Sequence, residues 1–390
     1  MARLTRRPTR RFSLFQLQTQ TELMKKKIIS VVGARPNFLK LAPLHEEFSK
    51  YPQTFQSLVV HTGQHYDYVM SDVFFRDLDL PKPDFHLEVG SANHSIQTAK
   101  VMTSFESVIQ QSRPDLVIVF GDVNSTLACA LVCAKNRIPL AHVEAGLRSF
   151  DQKMPEEINR LLTDQVSDFL FVTEKAGMDN LLKEGIAEKK CFLVGNIMLD
   201  TINHSWDKIL VSKILQQLNL RSKEYILMTM HRAGNVDSPK KLSQLIEIVR
   251  KITRLKPVLF PLHPRTSKNL KNLGLYDELK QIDRLRLVDP LGYLDFLCAA
   301  KDAIGVISDS GGLQSETTFL NVPCLTLREV TEQPITIELG TNTLAGFNAD
   351  SILKWLKKVL DGETGKSMAI PLWDGKTSER IVGILRNSQW

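Results

Sequence analysis

The chain has 390 residues, 43% of them hydrophobic, with a formal net charge of +7. That length covers about two domains of ordinary size, and the lack of any run of 18 or more apolar residues excludes a membrane-spanning helix. Five arginines against Glu22 in residues 1–23 supply +4 of the charge, so the body is only mildly basic and no nucleic-acid partner is expected for it.

Residues 1–23, MARLTRRPTRRFSLFQLQTQTEL, lack the apolar core of a signal peptide. They read as a disordered basic leader; a targeting sequence, a nucleic-acid arm, or upstream sequence ahead of a start at Met24 are the other readings. Cys129, Cys133, Cys191, Cys298 and Cys324 form no CxxC pair and no even disulfide set, and four of them sit in apolar surroundings, where a reduced thiol packs as a small hydrophobe. A cytoplasmic location fits this pattern.

From Met24 onward short apolar runs alternate with amphipathic segments. KIISVV, SLVVHTG, LVIVFGD, LAHVEAG, FLFVT and CFLVG are predicted strands, with helices over 37–50, 94–111, 124–136, 155–165 and 174–184. After Asn196 the pattern restarts: YILMTM, VLFPLH, LRLVDP, AIGVIS and PCLTL are predicted strands, with helices near 238–254, 292–300, 312–320 and 349–361. Continuous apolar strands separated by helices predict parallel sheets covered on both faces. The fold class is therefore α/β, two doubly wound Rossmann-like domains over 24–196 and 197–375 with a cleft between them.

Ligands of open α/β sheets bind at the carboxyl ends of the strands. Asp122, His142 to Glu144, Gly195, His231, His263 and Ser308 to Gly312 all follow or end an apolar run, and so are candidates to converge there. ISDSGGLQSE predicts a strand, a Ser-Gly-Gly turn and a helix start, which would aim backbone N–H groups at an anion. Paired glycines let an anion approach the backbone, and Glu316 could accept from ribose hydroxyls. The plain alternative is a tight turn capped by Asp309 or Ser310. Arg35, His231 and Arg232 also follow strands and would complete an anion cage. Neither GxGxxG nor GxxxxGK[ST] occurs, so the diphosphate is expected to be held rather than transferred to water.

GARPNFLKLAPL, HTGQHYD, GDVNST, HVEAGLRS, MPEEINR, VGNIMLDT, MHRAGNVD, SDSGGLQSE and TEQPITIELGTN occur in this order. The set resembles the non-hydrolysing UDP-N-acetylglucosamine 2-epimerases over about residues 26–388. The resemblance implies a glycosyltransferase-B-like fold, a helix near 376–388 closing back on the first domain, a homodimer, a UDP-sugar substrate, and neither a cofactor nor a metal. It implies interconversion of UDP-N-acetylglucosamine and UDP-N-acetylmannosamine by elimination of UDP to 2-acetamidoglucal and re-addition. Asp122, Glu144 and Glu156, with His231, would be catalytic. Arg35, Gln64, His65, Arg160, His231, Arg232, His263, Ser310, Gly311 and Gly312 would hold the substrate, and Glu316 the ribose.

The residues also admit plainer roles: a helix-capping Asp122, a Glu144 paired with Arg148, and a Glu156 at a helix dipole. Several positions depart from the better-known bacterial pattern. Asn37 stands where an acid follows ARP, Ala233-Gly234-Asn235 follows His231-Arg232, and Gln333 replaces the arginine of TERP; these positions are expected near the hexose or phosphate. TGQHYD lacks the QHRxM pattern, so activation by substrate is not assumed. A hydrolysing relative, a GT-B glycosyltransferase and a non-enzymatic nucleotide-sugar binder are the alternative functions.

Overall fold

The computed structural model describes residues 25–63, 77–364 and 367–390, and of Arg35 the backbone alone. The first sheet holds β1 Lys26–Val32, β2 Phe55–His61, β3 Phe85–His86, β4 Leu116–Phe120, β5 Leu140–Ala145, β6 Phe169–Val172 and β7 Cys191–Leu193, in the order β3-β2-β1-β4-β5-β6-β7. The second holds β8 Ile226–Thr229, β9 Val258–Pro261, β10 Leu285–Val288, β11 Gly305–Ser308, β12 Cys324–Thr326 and β13 Asn342–Leu344, in the order β10-β9-β8-β11-β12-β13. Every pairing in both sheets is parallel. In each sheet the chain starts centrally, runs out to one edge, then crosses back to build the other. The switch points fall between β1 and β4 and between β8 and β11, and a doubly wound sheet binds its ligand at such a point.

The strands are apolar on both faces because helices cover both. Ile28, Val32, Leu116, Ile118 and Phe120 pack with Phe38, Leu41 and Leu44 of the helix Arg35–Ser49. The alternate residues Ile29, Val31, Val117 and Val119 pack with Phe105 and Val108 of helix His94–Ser112 and with Ala128 and Cys129 of helix Asn124–Asn136. This is the period of two expected of a strand. In the second sheet Ile226, Met228 and Ile307 meet Leu245 and Val249 of helix Pro239–Leu255, while Leu227 and Val306 meet Ala299 and Leu313 on the other face. All five cysteines are buried and unpaired, and no helix among the described residues is long and apolar enough to cross a membrane. The strands β3 and β13, two and three residues long, are additions to the sequence reading.

Three contacts fix the elements that flank the cleft. Pro43 lies inside the helix Arg35–Ser49, so the carbonyl of Leu39, four residues back, loses its helical donor. The hydroxyl of Thr201, on helix Ile197–His204, donates to that carbonyl instead. Asp200, one residue earlier, accepts the N–H of Thr377 at 3.1 Å and the N–H and hydroxyl of Ser378 at 2.7 and 2.8 Å, which caps the helix Thr377–Asn387. That helix packs on Arg35–Ser49, and Ile197–His204 packs on both Arg35–Ser49 and Leu313–Phe319. The Ile197–His204 helix thus ties the first sheet's cover to the second sheet's switch point.

Candidate active site

A cleft of about 750 Å³ opens between the two sheets' carboxyl edges. Asp122, Glu144, Glu156 and Arg160 line it from the first sheet's side, and His231, Arg232, Ser310, Gly311, Gly312 and Glu316 from the second's. A cavity of about 820 Å³ lies elsewhere, between Arg137, Phe169, Lys189 and Trp390, with Asp168 as the one acid of its lining. Asp168 there already accepts from the Leu140 N–H and from Lys190. Of these two, the first cleft brings several carboxylates and cations together and lies at the strands' carboxyl ends, so the chemistry assigns the site to it.

Asp122 follows β4, and its half-buried carboxylate accepts from the Arg160 guanidinium at 2.5 Å. Arg160 is carried by the helix Pro155–Val166, where it also donates to Glu157 at 2.7 Å. Glu157 is buried and accepts the N–H groups of Ser149 and Phe150, each at 2.9 Å. Burial opposes its ionisation, yet those two N–H groups and Arg160 hold its carboxyl below the usual range. Glu157 is thus the strut that aims Arg160 at Asp122.

Glu144 sits at the end of β5 with a φ of 77°, a left-handed conformation that costs a non-glycine residue about 1–3 kcal/mol. The register of β5 against β6 shifts between Val143 and Ala145, so the chain bulges at Glu144. A bulge of this kind re-aims a side chain. Here the carboxylate turns toward the cleft and pairs with the buried ammonium of Lys40; Arg148, the partner considered from sequence, instead binds Asp164 and Glu184. Glu156 lies in the first turn of the helix Pro155–Val166, half-buried on the cleft wall.

Across the cleft, Asp309 is fully buried and accepts the N–H of His231 at 3.1 Å, the N–H of Arg232 at 2.9 Å and the amide of Asn235 at 3.2 Å. Burial disfavours its charge, but His231 and these N–H groups keep the carboxyl below its ordinary range. Asp309 therefore anchors the neighbouring turn rather than capping its own helix. Gly311 lies beside Arg328 and Glu332, and the cleft face of Gly312 is open, with no atom within 4 Å of where a Cβ would stand.

Glu332 ties the two halves together. Arg328 forks onto it at 2.8 and 2.5 Å, and Arg160 and Arg232 approach at 3.8 and 3.9 Å. Three guanidinium groups thus share one carboxylate. Burial and the Arg328 charge hold the Arg232 pKa below its normal value, so an anion placed here would be favoured.

Glu316 is buried at the cleft wall and accepts from the Tyr293 hydroxyl at 3.1 Å. Burial pushes its carboxyl up to about 7 despite that bond. His263 is set behind His231, with ring centroids 5.4 Å apart. Its Nδ1 accepts the Arg265 N–H, which caps the helix Pro264–Asn272, and it is not part of the cleft lining. Gln64 and His65 lie outside the described residues, as does the side chain of Arg35.

Of the departures noted in the sequence, Gln333, Ala233 and Gly234 do line the cleft. Asn37 does not. It is buried, accepts the N–H groups of Gly33 and Ala34 at 3.1 and 3.0 Å, and donates to the Phe120 carbonyl at 3.0 Å. An amide does this because it both accepts and donates, which a carboxylate cannot; Asn37 ties the end of β1 to β4 and is not part of the cleft lining. Lys40 and Glu332 escaped the sequence reading. The signal for Lys40 was a lysine flanked by Phe38, Leu39 and Leu41 on the buried side of a helix.

The chain matches the family described as UDP-N-acetylglucosamine 2-epimerase over residues 47–386. It is 42% identical to a UDP-N-acetylglucosamine 2-epimerase homolog of Methanococcus maripaludis, covering 93% of this chain and 99% of that one. It is 39% identical to the UDP-2,3-diacetamido-2,3-dideoxy-D-glucuronate 2-epimerase of Pseudomonas aeruginosa, covering 92% and 99%. The crystal structure of the Methanocaldococcus jannaschii UDP-GlcNAc 2-epimerase in complex with UDP-GlcNAc and UDP superposes with a TM-score of 0.86 at 40% identity, covering 93% of this chain and all of that one. With a two-sheet fold and an acid-lined cleft already in evidence, the chain belongs to the UDP-N-acetylglucosamine 2-epimerase family.

Proposed function

We propose that the chain inverts C2 of a UDP-2-acetamido sugar, converting UDP-N-acetylglucosamine to UDP-N-acetylmannosamine without hydrolysis. One observation carries the reading: Asp122, Glu144 and Glu156 face the Ser310–Gly312 turn and Arg232 across a single cleft. The C2 proton of a sugar is not acidic, so the route breaks the anomeric bond. A carboxylate takes the C2 proton, the C1–O bond opens, UDP leaves, and 2-acetamidoglucal remains. UDP then re-adds at C1 while a proton arrives at the opposite face of C2. Acids on separate elements suit a step that needs proton carriers on both faces. The glycine turn, His231 and Arg232 would hold the departed UDP, and Glu316 its ribose.

Anion-exchange chromatography of incubations with a panel of UDP-sugars tests the reading. An epimeric UDP-sugar formed from a 2-acetamido substrate is the expected product. Free N-acetylmannosamine with UDP would mark a hydrolase, turnover only with an added acceptor a glycosyltransferase, and no turnover a binding protein. A UDP-2,3-diacetamido-glucuronate sample in the same panel reads the alternative sugar that the Pseudomonas relative acts on.

UDP binding should depend on pH through Glu316. Ribose hydroxyls donate to a carboxylate better than to a carboxyl, and burial has raised Glu316 to about 7. Affinity should rise more steeply between pH 6 and 8 in the wild type than in Glu316→Gln, whose remaining slope is that of the UDP phosphate itself, read by calorimetry. In the apo protein the raised value has the opposite consequence for stability. The contribution of Glu316 is fully present below the unfolded value of 4.5 and is lost as pH rises through about 7. Apo Glu316→Gln should therefore gain melting temperature on the wild type across that window.

The chain should also form a homodimer. Ile96, Ile158 and Leu162 are about half exposed on the helices His94–Ser112 and Pro155–Val166, and Phe150, just ahead of the second helix, is 76% exposed. Sedimentation velocity should give a dimer for the wild type and a monomer for Ile158→Glu with Leu162→Glu. A reducing cytoplasm suits five buried, unpaired thiols.

A further inference from the structure

His142 is fully buried on β5, three residues before the strand ends, and it plays no part in the cleft lining. Its Nε2 lies 2.8 Å from the carbonyl oxygen of Gly121, which can only accept, so Nε2 carries a proton. Its Nδ1 lies 2.6 Å from one oxygen of Asp164. The other oxygen of Asp164 accepts the Arg148 guanidinium at 2.7 Å and the Gly146 N–H at 3.1 Å. Burial opposes a charge on Asp164, but His142 and Arg148 keep its carboxyl below the ordinary range. Both ring nitrogens of His142 are thus engaged, Nε2 by a backbone carbonyl and Nδ1 by a buried carboxylate that also holds the Gly146 N–H.

We infer that His142 is a positioning residue for the two acids at the strand ends, holding the Gly121 carbonyl with one ring nitrogen and Asp164 with the other. The inference rests on the proposed roles of Asp122 and Glu144. Its geometry reaches both. Gly121 immediately precedes Asp122 and has a φ of 62°; Gly146, two residues after the bulged Glu144, has a φ of 80°. Each turn could relax if its backbone group were released, and one buried ring, with the carboxylate it holds, keeps both in place. Arg148 anchors that carboxylate further, since it also donates to Glu184 at 2.8 and 2.7 Å. A buried ion pair with all its hydrogen bonds made adds little net stability, but a rigid support of this kind fixes where a reacting group stands.

The test has two arms. Without substrate, ring-nitrogen NMR of histidine-labelled enzyme at pH 7.5 should show a hydrogen-bonded, slowly exchanging Nε2 proton for His142, assigned by its loss in His142→Gln or, if that variant does not fold, by that slow exchange. A bare Nε2 overturns the inference. In turnover, folded His142→Gln should lose about 30- to 300-fold in kcat with KM within about threefold, because a displaced acid impairs the chemical step and spares the diphosphate's binding. Near-normal kcat, or a loss confined to KM, also overturns it. Failure of the functional reading is distinct, because the wild type itself would then form no epimeric UDP-sugar.

Discussion

Asp122→Asn is expected to lower kcat by about 10²- to 10⁴-fold, the range for losing a general acid or base, while UDP affinity stays within about twofold. The asparagine keeps an oxygen for the Arg160 guanidinium, which now donates to Asp122 at 2.5 Å. Arg160 also keeps Glu157 at 2.7 Å, so no buried charge is stranded and the fold should hold. The nucleotide is held on the far wall by the Ser310–Gly312 turn in the proposed arrangement, which is why affinity should not follow rate. Steady-state kinetics with calorimetry separate the two. If Asp122→Asn kept near-normal kcat, Asp122 would be a partner for Arg160 alone and the proton chemistry would belong to Glu144 and Glu156.

Gly312→Val should abolish measurable UDP binding, a loss of at least 100-fold or about 2.7 kcal/mol, without a fall in melting temperature. No atom stands within 4 Å of an added Cβ at Gly312, so the new side chain occupies the cleft and leaves the protein's packing undisturbed. Gly311→Val is the instructive contrast. Its Cβ would stand 3.3 Å from the Arg328 guanidinium and 3.7 Å from Glu332. That variant should lose stability as well as UDP, because it presses on the ion pair that joins three arginines. Unchanged UDP affinity in Gly312→Val would move the diphosphate away from this turn.

What could be read from the sequence was what repeats or ends abruptly. LVIVF is apolar at every position because β4 is buried on both faces, and the acid that follows it had to be at the carboxyl edge. The same reasoning placed Ser310, Gly311 and Gly312 after β11 and His231 after β8. Features set by tertiary context were not legible. Nothing local marks Glu144 as left-handed and bulged; that depends on Lys40 of a distant helix and on the register of β6. Glu332 becomes a hub only when Arg160 arrives from the other sheet. Asn37 looked like a substitution facing the sugar, yet it spends its amide on Gly33, Ala34 and Phe120, a role visible only once β1 and β4 lie side by side. The strands β3 and β13 are too short to carry a pattern.

The central claim is that C2 loses its proton and regains one on the opposite face while UDP is briefly free within the cleft. The most direct measurement is mass and NMR analysis of products formed from UDP-N-acetylglucosamine in heavy water. The account predicts UDP-N-acetylmannosamine carrying deuterium at C2, with UDP and 2-acetamidoglucal accumulating on long incubation. An epimerised product that retains the original hydrogen at C2 throughout, with no trace of the glycal, would contradict it.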